Sequence, residues 1–168
     1  MSNLPKRKSP RLREYDYNGA ALYFLTICTR NRIKILSNIV GGDVLDAPQV
    51  ELTEYGRIAN KYIGQINEHY DDLSVEQYVI MPNHIHMILY VHQNGASRTS
   101  PPTVKQHSKV SGFVSTFKRF CDKEYGENIW QRGFYDHIIR DRCDYEEISK
   151  YIRENPLKWE FDVLYCEN

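Results

Sequence analysis

The spacing of apolar positions divides the chain into a few clear elements. Ala21 to Thr29 reads Ala-Leu-Tyr-Phe-Leu-Thr-Ile-Cys-Thr, dense in β-branched and aromatic residues, and predicts a buried strand. From Leu52 to Ile66 the residues Leu52, Tyr55, Ile58, Ala59, Tyr62, Ile63 and Ile66 recur at three- and four-residue spacings, which predicts an amphipathic helix. Gly56 weakens that prediction slightly. Residues 75–81 and 84–91 are apolar runs joined by Pro82-Asn83; proline cannot sit inside a central strand, so the pair predicts an antiparallel hairpin. A second helix is expected from about Lys109 to Tyr125, with Val110, Phe113, Val114, Phe117 and Phe120 on one face and Lys118, Arg119 and Lys123 on the other. A short extended piece follows near Phe134–Arg140. The last helix is expected to start at Asp144, where D-x-x-E with Glu147 makes a capping box, and to stop before Pro156. Tyr145, Ile148 and Ile152 form its apolar stripe.

Strand, helix, two strands, helix, a short strand and a last helix imply an α+β sandwich. Helices would cover one or both faces of a mainly antiparallel sheet. The size, 168 residues, suits one domain over residues 17–168, preceded by a basic flexible arm at 1–16. Gly41-Gly42-Asp43 marks a loop, and the polar, glycine- and proline-bearing stretch 92–108 a longer flexible one. Hydrophobic content of 41% and charged content of 26% are ordinary for a soluble globular protein. No apolar run is long enough to cross a bilayer, which argues against a membrane partner. The first residues, Met1-Ser2-Asn3-Leu4-Pro5-Lys6-Arg7-Lys8, have no apolar core of a secretory signal. Cys28, Cys121, Cys143 and Cys166 are far apart and lack C-x-x-C spacing, so they read as unpaired thiols in a reducing compartment. A cytoplasmic location is expected.

Zero net charge argues at first against a nucleic-acid partner, but the charge is segregated. Residues 1–34 carry eight cations (Lys6, Arg7, Lys8, Arg11, Arg13, Arg30, Arg32 and Lys34) against Glu14 and Asp16, so that end is six charges positive. A phosphate-binding surface and a merely solvated tail both fit that distribution.

Two sites hold chemistry. In Pro82-Asn83-His84-Ile85-His86 the histidines are two apart on a strand, so both leave one face while Ile85 goes to the other. Side by side, two neutral imidazoles are half of a divalent-metal site. Many H-x-H pairs are only solvent-facing, but the apolar flanks Ile80, Met81, Met87, Ile88 and Leu89 imply a buried sheet, where histidines need partners. In Tyr151-Ile152-Arg153-Glu154-Asn155-Pro156, Tyr151 and Asn155 are four apart and share a helix face turned toward the sheet. The Asn155 amide oxygen could be a third metal ligand and Tyr151 a nucleophile beside it. Helix termination by Asn-Pro and packing by the tyrosine account for the same residues.

Five ordered segments carry a family resemblance: Tyr15-Asp16-Tyr17, Ala21 through Arg32, Met81 through His86, Ile129 through Arg140 (IWQRGFYDHIIR) and Tyr151 through Trp159 (YIRENPLKW). Over roughly residues 13–160 the chain resembles the REP-associated tyrosine transposases, bacterial relatives of the single-tyrosine insertion-sequence enzymes in the HUH superfamily. The resemblance implies a ferredoxin-like, RRM-like fold. It implies that His84 and His86 bind the metal, that Tyr151 is the nucleophile, and that Asn155 stands where relatives place an amide ligand. It further implies a strand transferase that cuts single-stranded or hairpin-forming repeat DNA through a 5′-phosphotyrosine. Two imidazoles and an amide suit Mg²⁺ or Mn²⁺, the nitrogens favouring Mn²⁺. DNA contacts are expected from Lys6, Arg7, Lys8, Arg11, Arg13, Arg30, Arg32, Lys118, Arg119, His137 and Arg140, with nucleoid association when DNA is bound. Trp130 could stack on a base or pack in the core. Relatives occur as monomers and as homodimers, and no interface is legible. Two other functions compete: a non-catalytic DNA-binding protein such as a repressor, and a water-using metallohydrolase, for which no H-E-x-x-H or carboxylate cluster is present.

Overall fold

The computed structural model describes residues 20–41, 48–92 and 108–166. The expected elements form an antiparallel sheet of four strands: β1 (Ala21–Cys28), β4 (Leu73–Ile80), β5 (His84–Val91) and β6 (Tyr135–Ile139), in the order β4-β5-β1-β6. Together with α1 (Glu54–Gly64), the one-turn α2 (Ile66–His69) and α3 (Lys109–Tyr125), this is the ferredoxin-like order that the resemblance implied. The two middle strands are the near-continuous apolar runs, because both of their faces are covered. Tyr23, Leu25, Ile27, Ile85, Met87, Leu89 and Val91 pack on one side against Ala59 and Ile63 of α1 and Phe113 and Phe117 of α3. Phe24, Ile88 and Ile139 on the other side meet Ile152 of α4 (Arg142–Glu154). Among the described residues that second face is covered by α4 and by the 3₁₀ turn Pro156–Phe161, whose Trp159 ring lies 5.9 Å from His84, and the histidines are buried beneath them.

A small hairpin, β2 (Ser37–Val40) and β3 (Gln49–Leu52), was not expected. It is tied to the β4–β5 turn: Leu36 N donates to Pro82 O at 3.0 Å and Ser37 Oγ to Ile80 O at 2.8 Å. Thr53 caps α1 by accepting from Gly56 N at 3.1 Å. A Cβ on Gly56 would sit 1.9 Å from Leu36 O, so the glycine that weakens the helix is what lets the hairpin lie against it.

The start of α4 corrects the sequence reading. Its N-cap is Asp141, whose carboxylate accepts from Asp144 N at 2.9 Å; Asp144 is inside the first turn and accepts instead from Arg140 N at 3.2 Å. The four cysteines are free thiols, as expected. No helix among the described residues is long and apolar enough to cross a membrane. The basic arm, most of the Gly41-Gly42-Asp43 loop and all but the ends of the 92–108 stretch lie outside the described residues.

Candidate metal and nucleophile site

Strand parity and register build the site. His84 stands opposite Cys28, and His86 opposite Thr26, so both imidazoles share the α4 face while Ile85 enters the core. Their ring centroids are 4.3 Å apart, and the rings are buried at 0% and 2% exposure. From α4, Tyr151 brings its hydroxyl to 3.2 Å from His86 Nε2, and Asn155 is buried one turn further on. Phe24 stacks on His86, centroids 5.1 Å apart, and meets Tyr151 edge-on at 6.1 Å.

One group was missed in the sequence. Asp162 follows the 3₁₀ turn Pro156–Phe161, and its Oδ2 accepts from Tyr151 Oη at 3.1 Å and from Asn155 Nδ2 at 2.7 Å. His84, His86 and Asp162 can each offer a ligand atom, all within 4.8 Å of one another. No periodicity points to Asp162, because it lies in irregular chain beyond a proline.

The hydrogen bonds decide which lone pairs are free. Asn83 Nδ2 donates to Leu164 O at 2.9 Å, so its Oδ1 faces His84 Nδ1 at 2.8 Å and must accept from it. The remaining nitrogen, His84 Nε2, is then a bare acceptor, buried and without a hydrogen-bond partner. Asn155 Oδ1 is a second such acceptor, since its amide turns the NH₂ toward Asp162. Buried acceptors without donors are costly, and a bound cation would satisfy both. His86 Nδ1 lies 2.9 Å from Thr26 Oγ1, a hydroxyl that can accept the ring proton and leave Nε2 free as a ligand. Burial pushes His84 down to about 4; burial and the neighbouring His84 push His86 well below the usual histidine range. Both rings are therefore neutral at pH 7, as metal ligands must be. Burial first, and then Asp162, push Tyr151 up to about 12, so its hydroxyl keeps its proton until something offsets that cost.

The expected DNA contacts divide. Arg30 and Arg32 are exposed on the turn after β1, and Arg32 Nη1 reaches Val163 O at 3.3 Å. Arg119 and Arg140 are exposed as well. His137 is engaged by Asp144, at 2.9 Å, at the start of α4. Lys118 corrects the placement of Lys118, Arg119 and Lys123 together on the α3 side opposite the apolar face: it is 9% exposed, and its ammonium donates to Gln131 O and Gly133 O, each at 2.7 Å. Burial lowers its pKa to about 8. Trp130 is a core residue, 5% exposed and packed on Phe117. Lys6, Arg7, Lys8, Arg11 and Arg13 lie outside the described residues.

Comparison with known proteins bears on the fold and the family. A Haemophilus influenzae protein of unassigned function is 29% identical over 175 residues, covering 96% of this chain and 94% of its own. A second protein from that organism, provisionally described as a REP-associated tyrosine transposase, is 28% identical over 146 residues, 85% of this chain and 74% of its own. Among solved structures, a REP-associated tyrosine transposase bound to a REP hairpin has the same fold, with a TM-score of 0.62 and 22% identity over 90% of this chain and 75% of the other. The model of the family described as "Transposase IS200 like" matches residues 19–155, from the first strand through Tyr151 to Asn155, and the chain belongs to that family.

Proposed function

We propose that the chain is a divalent-metal-dependent transposase that cuts and rejoins single-stranded DNA beside hairpin-forming repeats, with Tyr151 as nucleophile. The observation that carries this is the meeting of Tyr151 Oη with His86 Nε2 at 3.2 Å and Asp162 Oδ2 at 3.1 Å, beside a buried acceptor that lacks a donor. The hairpin-bound neighbour of the same fold supports the choice of DNA.

His84 Nε2, His86 Nε2 and the Asp162 carboxylate would hold the ion, with Asn155 Oδ1 as a further acceptor. When bound, Mg²⁺ or Mn²⁺ neutralises charge on the scissile phosphate as a Lewis acid, and the nitrogen ligands favour Mn²⁺. Tyr151 Oη forms a bond to phosphorus while the bond from phosphorus to the 3′-oxygen breaks. The phenolic proton passes to Asp162, to which Tyr151 already donates, and Asp162 returns it to the departing 3′-oxygen, which leaves as a hydroxyl. One phosphodiester replaces another, so attack by a 3′-hydroxyl on the phosphotyrosine reverses the step without a high-energy cofactor. Phe24 and α4 keep the phenol against the histidines, so little ordering remains to be done when DNA arrives.

The test is incubation of the protein with end-labelled single-stranded hairpin DNA and Mn²⁺. A covalent adduct that requires Mn²⁺ and disappears in His86→Ala is the expected result. Binding without an adduct would favour the non-catalytic repressor, and release without an adduct a hydrolase.

A further inference from the structure

We propose that Gln77, on the outer strand β4, is a positioning residue for the nucleophile: its amide fixes where α4 lies on the sheet, and so where Tyr151 meets His86. This rests on the reading of Tyr151 as the nucleophile.

The fit of α4 to the sheet is otherwise apolar. Phe24, Ile88, Ile139 and Ile152 form its buried centre, edged by Val79, Tyr145 and Ile148 among others. Apolar burial is non-directional, so it holds a helix against a sheet without closely setting its height along the axis. A shift by a single residue's rise, about 1.5 Å, would carry the Tyr151 hydroxyl out of its contact with His86 Nε2.

Of the two buried side chains of α4, Ser149 and Ile152, one is polar. Ser149, two residues before Tyr151, donates its hydroxyl to Gln77 Oε1 at 2.6 Å, and Gln77 Nε2 donates to Ser149 O at 3.1 Å. Arg153 Nη1 donates to the same hydroxyl at 2.7 Å, which leaves the serine proton for Gln77 and fixes which way round the amide lies. Two bonds from one amide to the side chain and the backbone of one residue set both the height and the rotation of the helix. The first turn is held separately, by His137 of β6 on Asp144 at 2.9 Å, so Gln77 governs the half of α4 that carries Tyr151.

A β-bulge puts Gln77 in place. Strands β4 and β5 pair Val75 with Leu89 but Gln77 with Ile88, which leaves Glu76 as the extra residue. In unbroken register Glu76 would oppose Ile88 and face α4, while Gln77 would oppose Met87 and face the core beneath α1 and α3. The bulge instead leaves Glu76 exposed and gives the helix an amide. A carboxylate in that place could accept from Ser149 but could not donate to its carbonyl.

Single-turnover adduct formation with end-labelled hairpin DNA and Mn²⁺ tests this. Gln77→Leu should slow the step at saturating DNA about tenfold or more, as a displaced reacting atom does, with the half-saturating DNA concentration unchanged. Ser149→Ala, which keeps the Nε2 bond, should lose about threefold, and adding it to Gln77→Leu should cost nothing further. Leucine suits the apolar neighbours, and the Ser149 hydroxyl can turn to the Tyr145 carbonyl one turn back, so the Tm of Gln77→Leu should hold; a merely structural role would lower it instead. Unchanged rates in both variants, a loss confined to half-saturating DNA, or losses that multiply in the double variant would overturn the assignment. Ser149→Ala alone decides it should the leucine variant not fold. If wild type forms no adduct, the transposase reading fails, and the clamp is read by NMR instead. The Tyr151 and His86 rings, with centroids 5.1 Å apart, should show cross-relaxation in wild type and lose it in Gln77→Leu, and equal signals would overturn the clamp.

Discussion

Replacing Tyr151 with phenylalanine removes one oxygen from the centre of the proposed chemistry. The hydroxyl makes two contacts, at 3.2 Å to His86 Nε2 and 3.1 Å to Asp162 Oδ2, on a ring that is 40% exposed. Such hydrogen bonds contribute about 0.5–1.5 kcal/mol net, and at a half-exposed position water replaces much of that. Asp162 keeps its bond from Asn155, so no charge is orphaned. A loss of about 1 kcal/mol is expected at pH 7, a fall in Tm of about 2–4 °C for a chain of this size. The difference shrinks in alkali. A tyrosine whose folded pKa is raised to about 12 contributes stability that is whole below pH 10 and disappears as pH climbs through 12. Screening at this exposed ring limits that contribution to about 1 kcal/mol, so the two proteins should converge above pH 11. Against these small changes in stability, adduct formation should fall to nothing, because phenylalanine has no nucleophile. Denaturing gels of labelled hairpin with Mn²⁺, and peptide mapping of the wild-type adduct, read the result. An adduct formed by Tyr151→Phe, or DNA mapped to Tyr145 or Tyr135, would refute the assignment.

Three further outcomes are expected. Asp162→Ala should weaken Mn²⁺ binding at least about tenfold in calorimetric titration, and unchanged affinity would leave Asn155 as the third ligand. Lys118 is buried with its pKa lowered from 10.5 to about 8, so the folded state disfavours the ammonium, and stability rises as pH climbs from 8 toward 10.5. In urea melts Lys118→Met should lack that rise, and parallel pH profiles would show that the two carbonyl bonds hold the charge without cost. Deletion of residues 1–13 should weaken hairpin binding and flatten its salt dependence, because Lys6, Arg7, Lys8, Arg11 and Arg13 would no longer release counterions; an identical slope would mark them as a solvated extension.

What could be read in advance follows from which features are periodic. Two-residue parity on β5 put His84 and His86 on one face, and four-residue spacing on α4 put Tyr151 beside Asn155, because both are local geometry. Thr26 joined them only through register, which depends on how β1 and β5 align. Asp162 depends on the path of a 3₁₀ turn, which no spacing rule describes. The β2–β3 hairpin was missed because two runs of four residues, Ser-Asn-Ile-Val and Gln-Val-Glu-Leu, are too short to show a period. Lys118 was misplaced because its partners are backbone carbonyls of a distant loop, and a helical wheel contains no loops.

The centre also has an order in time. Thr26, His84 and His86 are all present once the chain has been made as far as His86 in β5, whereas Tyr151, Asn155 and Asp162 come 65 to 76 residues later. Asn83, which sets the ring proton of His84, completes its own bonding only on Leu164 O. At a synthesis rate of about 5–20 residues per second, roughly 4 to 15 s separate His86 from Asp162. During that interval a growing chain carries the paired histidines with neither the phenol nor the carboxylate beside them. On the proposed mechanism, cutting of DNA requires a chain made at least as far as Asp162, and a chain truncated in translation before α4 carries the paired histidines without the phenol.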